Sequence, residues 1–174
     1  MKASPVHGID HIGITVPDID AATRFFEAAF DAEVIYDSKL KADPPESGSD
    51  LENTLGVVQG AKLVAVRMLA LRYGPGLELF QFSADTQRAA LVPSDYGLQH
   101  FGIYVDDIQE AVAQFESAGG KMLTSPQPFM FGAEEGIGNN FCYGRTPWGS
   151  TIELLTYPSP QPYEKTTPLR RWRP

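Results

Sequence analysis

The chain has 174 residues, with 14 Lys and Arg against 22 Asp and Glu, three His and one Cys. A net charge of -8 excludes a phosphate-tracking surface, which needs a basic stripe, so no nucleic-acid partner is expected. One cysteine excludes an intramolecular disulfide and a thiolate zinc cage, and fits a reducing compartment. The first residues lack a charged-then-apolar leader, and no apolar run reaches a span of about 18 residues. A cytoplasmic protein with no membrane partner is the expectation.

In chain order, residues 9–16 alternate as a strand does. Asp10, Ile12, Ile14 and Val16 point one way, and His11, Gly13 and Thr15 the other. Asp18 then stands where a carboxylate caps a helix, and Ile19, Ala22, Phe26 and Ala29 recur at helical spacing. Strands are predicted over 32–37, 62–69 and 77–82, with Gly74-Pro75-Gly76 turning the chain before the last. Between the first two, residues 40–60 are rich in Pro, Gly, Ser and acids and read as a long loop with a short helical turn.

The chain then repeats itself. HIGITVPDIDAATRFFEAA, starting at His11, aligns with HFGIYVDDIQEAVAQFESA, starting at His100, with ten of nineteen positions identical. Gln99, Phe101, Ile103 and Val105 take one face of the new strand, and His100, Gly102 and Tyr104 the other. Asp107 caps a helix carrying Ile108, Ala111, Phe115 and Ala118, and Gly119-Gly120 ends it. Strands are predicted over 121–124, 140–144 and 151–157. The fold class is therefore α+β, two βαβββ modules: residues 7–83, a linker 84–96, residues 97–158, and an extended arm 159–174. The arm holds many of the prolines with Arg170, Arg171, Trp172 and Arg173. It reads as a loose end or as an anchor on a neighbouring subunit.

His11 and His100 occupy equivalent positions of the two modules. The last strand of each module also carries a carboxylate between apolar neighbours, Glu78 in LELF and Glu153 in IELL. A charge inside an apolar strand is costly unless it is paired or binds a metal. Two imidazoles and two carboxylates suit one divalent ion, Zn, Ni, Co, Mn or Fe, with positions left for water or substrate.

IDHIGITVPDIDAATRFFEAAF, LELFQF, LQHFGIYVDDIQEAVAQFESAGG and GRTPWGSTIELLTYP together resemble the vicinal oxygen chelate family, which includes glyoxalase I, methylmalonyl-CoA epimerase, fosfomycin-resistance enzymes, extradiol dioxygenases and bleomycin-resistance proteins. The resemblance covers roughly residues 7–158. It implies paired modules closing a cupped, partly closed mixed sheet around a divalent metal, with His11, Glu78, His100 and Glu153 as the metal ligands. It also implies a homodimer.

The resemblance implies a metal-dependent lyase or isomerase that abstracts a proton next to a metal-bound oxygen of a small oxygenated substrate. Glu153 and Glu78 are the candidate catalytic bases, and Glu52 in the loop is a further one. Thr15 stands where bacterial glyoxalase I has an Arg. Val58 precedes Gln59-Gly60 where the epimerase has a catalytic Glu, and Glu78 stands where it has Gln. The reaction class, and neither exact activity, is thus implied. The alternatives are an iron-dependent ring-cleaving dioxygenase using His11, His100 and Glu153, and a non-catalytic binder of the bleomycin-resistance kind. Phe80, Phe82, Tyr104, Leu155 and Tyr157 share the phase of the ligands and would line an apolar cleft with phenols, under a flap at residues 129–138. Cys142 is expected to be inert packing.

Overall fold

The computed structural model describes residues 5–174 and forms two units. The first runs to residue 88; the second starts at residue 89 and also takes in residues 28–30.

In the first unit, β1 (His11–Val16) is followed by α1 (Ile19–Phe30), β2 (Glu33–Lys39), α2 (Ser49–Leu55), β3 (Lys62–Ala70) and β4 (Gly76–Ser83). The strands form one mixed sheet ordered β1-β4-β3-β2, with β1 parallel to β4 and the other pairs antiparallel. The alternation read from the sequence decides which face is buried. Ile14, Val16, Leu77 and Leu79 are buried, while His11, Gly13 and Thr15 are exposed. Asp18 caps α1 as expected, its Oδ1 accepting a hydrogen bond from the Ala21 N–H at 2.8 Å. Ile19, Ala22, Phe26 and Ala29 are all buried. The predicted loop at residues 40–60 contains a full two-turn helix, α2, with no buried residue.

The second unit repeats the plan with β5 (His100–Tyr104), α3 (Ile108–Ser117), β6 (Lys121–Met122), β7 (Gln127–Pro128), β8 (Asn140–Arg145) and β9 (Thr151–Thr156). Its sheet is ordered β5-β9-β8-β6, with β7 also on β8, and β5 runs parallel to β9. Asp107 caps α3 through hydrogen bonds from the Gln109 and Glu110 N–H groups. Gly119, at φ 102°, ends the helix in the left-handed region that only glycine enters freely. Gly120 and Gly144 are bare because the Phe115 ring fills the space that a Cβ on either would take. The strand predicted over 121–124 shortens to two residues, and β7 takes up part of the loop that follows.

The arm is ordered on its own unit. It makes a 3-10 turn at Pro162–Lys165 and returns to Tyr157, whose hydroxyl donates to the Trp172 carbonyl. Among the described residues no helix is long and apolar enough to cross a membrane.

Candidate functional site

Each unit brings one predicted histidine to one predicted glutamate. In the first, β1 and β4 pair so that Gly13 lies opposite Glu78, which puts His11, Gly13, Glu78 and Phe80 on one face. His11 Nε2 stands 3.2 Å from Glu78 Oε2. In the second, Gly102 lies opposite Glu153, and His100 Nε2 stands 3.4 Å from Glu153 Oε2. The two glutamates are mostly sheltered, with side chains 21 % and 13 % exposed, so neither is the solvated surface charge that composition alone would allow. Within either unit, the described residues hold these donors as pairs; no group of three or more His, Cys, Asp or Glu is gathered for a metal.

The donor chemistry of each pair fits a shared divalent ion. Nitrogen and oxygen donors sit about 2.0–2.2 Å from such an ion, so two neighbouring donors stand about 3.0–3.4 Å apart, the spacing that both pairs show. A ligating imidazole also tends to give its other N–H to a carboxylate. His11 Nδ1 meets Asp10 Oδ2 at 2.8 Å, an arrangement that leaves Nε2 as the donor facing Glu78. The Asp10 hydrogen bond, aided by the charges of Glu78 and Asp10, raises the His11 pKa above its ordinary value. His100 differs: its Nδ1 is buried and has no hydrogen-bond partner among the described residues.

Tyr143 completes the second pair. It lies opposite Glu153 in the β8–β9 ladder, and its ring meets the His100 ring edge-on at 5.3 Å between centroids. Burial, then the charge of Glu153 and a hydrogen bond to it, push the phenol pKa up. Residue type alone does not single out Tyr143 within the strand predicted over 140–144. The usable signal was register: strands over 140–144 and 151–157 joined by a tight turn place Tyr143 beside Glu153. Asp10 was assigned to the face away from His11, yet its carboxylate reaches back to the ring.

The remaining predicted residues fall as follows. Phe80 and Phe82 stack at 5.7 Å in the first unit. Tyr104, Leu155 and Tyr157 lie on the His100–Glu153 face of the second, where Tyr104 and Tyr157 meet edge-on at 4.8 Å. Glu52 holds the loop after α2, accepting a hydrogen bond from the Gly60 N–H at 2.8 Å, which gives this carboxylate a structural job. Cys142 is fully buried, and burial with the charge of Glu153 pushes its thiol up to about 11, so packing is its role.

Comparisons with known proteins bear on the family and the fold. The sequence model of the Glyoxalase/Bleomycin resistance protein/Dioxygenase superfamily matches residues 8–154. A 2-epi-5-epi-valiolone epimerase from an Actinomyces species is 33% identical over 170 residues, 95% of this chain and 88% of that protein. Among solved structures, a glyoxalase family protein from Bacillus cereus superposes with a TM-score of 0.67 at 19% identity, covering 90% of this chain and 97% of that one. A fosfomycin resistance protein, FosX, from Listeria monocytogenes, solved as a mutant with Mn(II) and a dihydroxypropylphosphonic acid, gives 0.56 at 17% identity, covering 93% and 99%. At these identities the two structures speak to the fold alone.

Proposed function

The chain belongs to the Glyoxalase/Bleomycin resistance protein/Dioxygenase superfamily, and within it we propose a divalent-metal-dependent epimerase that moves a proton at a carbon next to the carbonyl of a small hydroxylated ketone. The observation that carries the reading is the repeated His–Glu pair, at 3.2 Å for His11 with Glu78 and 3.4 Å for His100 with Glu153. The relative's name supports the reaction class, since 2-epi-5-epi-valiolone is by its name a hydroxylated ketone and an epimerase inverts one stereocentre.

His11, Glu78, His100 and Glu153 would hold the ion, which when bound supplies positive charge that lowers the cost of an enolate-like anion. The chain's own residues do the rest. Glu153 or Glu78, as the carboxylate, takes the proton from the carbon and gives it back. Tyr143, opposite Glu153 in the ladder, would donate its hydroxyl to that carboxylate and orient it. The bare Gly102 lets Leu155 close in beside Glu153, which gives the second pair an apolar neighbour. A ring-cleaving dioxygenase would leave Glu78 with no task, so the epimerase reading uses more of what is present.

The test combines metal analysis with proton exchange. Protein purified without chelators should carry one divalent ion per chain and lose it in His11→Ala and His100→Ala. In D2O, NMR should show it exchanging a carbon-bound proton of 2-epi-5-epi-valiolone. Glu78→Gln and Glu153→Gln should each slow that exchange by about 100-fold or more. Intact exchange in both glutamine variants would sink the reading.

A further inference from the structure

The C-terminal arm lies on the same sheet face as His100 and Glu153. Along β9, Glu153 and Leu155 share that face, and Tyr157 follows in the same phase just past the strand. Tyr157 is only 3 % exposed, and the arm helps to cover it. Its hydroxyl donates to the Trp172 carbonyl, and the guanidinium carbons of Arg171 and Arg173 sit 5.1 and 4.9 Å from its ring centroid. Arg171 also reaches the Phe129 ring at 5.9 Å. From Phe129, ring contacts of 5.1, 5.7 and 5.3 Å pass through Phe141 and Tyr143 to His100. A continuous aromatic floor therefore joins the His100–Glu153 pair to the arm.

The arm is fastened to the predicted flap rather than draped over it. Asn139, fully buried, donates to the carbonyls of Glu134 and Ser159 and accepts from the Ser159 N–H. Tyr163 N–H donates to the Ala133 carbonyl at 3.1 Å, and Arg171 Nη1 bonds to Glu134 Oε1. Each arginine of the wall has its own carboxylate, Glu134 for Arg171 and Glu164 for Arg173. The wall thus offers N–H donors whose charge is already balanced, which favours neutral hydroxyl groups over an anion. The arm also lies beyond the residues matched to the superfamily, which end at residue 154.

We propose that the arm is the far wall of the substrate site, and that Arg171 is a specificity-determining residue that hydrogen-bonds a distal hydroxyl of a neutral polyhydroxylated ketone. Glu153 and Tyr157 are four residues apart along the strand, a reach of about 13 Å that a short ketone cannot span. The proposal rests on the proton-transfer reading for the position of the carbonyl end, at Glu153, but its test is a binding measurement.

Calorimetric titration of the full metal-loaded chain with 2-epi-5-epi-valiolone and with dihydroxyacetone separates the two ends of the site. Arg171→Ala should weaken the longer ketone about tenfold and leave dihydroxyacetone unchanged, while Arg171→Lys recovers part of the loss. The proton-exchange kcat of Arg171→Ala should stay within about threefold, with the change in KM. Unchanged affinity for the longer ketone in Arg171→Ala, equal losses for both ketones, or no binding of the longer ketone to the native chain would each overturn the proposal. The expected binding pattern without any proton exchange would leave the wall standing and remove the epimerase reading instead.

Discussion

Tyr143 stands opposite Glu153 across the antiparallel β8–β9 pairing, and burial and the charge of that carboxylate hold its phenol above the usual tyrosine range. The arrangement gives Glu153 a phenol for a neighbour, one whose ring also meets the His100 ring edge-on. Tyr143→Phe keeps the ring and removes the donor. The expected result is a kcat about tenfold lower for proton exchange, with metal content and KM nearly unchanged. Loss of metal in this variant would show the hydroxyl to be supporting a ligand rather than a base.

Gly13 and Gly102 occupy equivalent positions of the repeat and should respond differently to the same methyl group. A Cβ on Gly102 would meet Leu155 Cδ2 at 2.9 Å and Glu153 Oε2 at 3.5 Å, whereas one on Gly13 would meet only Phe80 Cε2 at 3.7 Å. Gly102→Ala is expected to cost about 1–3 kcal/mol in denaturant unfolding, because the Leu155 side chain must shift, while Glu153 stays at ordinary contact distance. Gly13→Ala should fall within about 0.5 kcal/mol of the native chain.

The two helix caps give a prediction with a pH sign. Asp18 is held below its ordinary pKa, first by the hydrogen bond from Lys41, at 2.6 Å, and then by the Ala21 N–H. A depressed folded-state pKa stabilises the fold above the unfolded value near 3.8, and the contribution fades as pH falls through the folded value. Asp18→Ala should therefore cost about 1 kcal/mol at neutral pH, and the difference from the native chain should shrink in acid. Unfolding curves at pH 7 and below pH 3.8 read this directly. The side chain is nearly half exposed, so salt should weaken the Lys41 share.

Cys142 should resist alkylation in the folded chain and react only through unfolding. Its thiol pKa is raised from 9.0 to about 11 by burial and then by Glu153. A raised value means its contribution to stability is fully present below pH 9.0 and is lost as pH rises through about 11. Iodoacetamide labelling at pH 8 should be at least about 100-fold slower than for a free thiol, and Cys142→Ala should remove the labelling without changing metal content.

Much of this was legible in the sequence because two periodicities agreed. The alternation around His11 and His100 fixed which side chains face the core. The repeat fixed which positions correspond, and Asp18 and Asp107 marked both helix starts. The face of β8 was harder to read. Phe141, Cys142, Tyr143 and Gly144 are flanked by packing on both sides, so the strand shows no polar–apolar alternation that would single out Tyr143. Residues 49–55 form a helix with no buried side chain, held at its end by Glu52 and the Gly60 N–H, which leaves no apolar stripe to detect. The seating of the arm on its own unit is not legible because proline-rich composition carries no signal for cation–aromatic contacts. The rings of Phe129 and Tyr157 are what seat Arg171 and Arg173.

The parallel ladders β1–β4 and β5–β9 have a consequence for how this chain can change length. One residue gained or lost between Gly76 and Glu78 would turn the carboxylate to the buried face and show an apolar side chain to His11. The same holds between Thr151 and Glu153 opposite His100. Insertion scanning should therefore show loss of the His–Glu pairs for single insertions within residues 76–78 and 151–153, while extra residues are accepted in the exposed loop at residues 84–96. Natural variants of this protein would be free to lengthen only where the ladders are not.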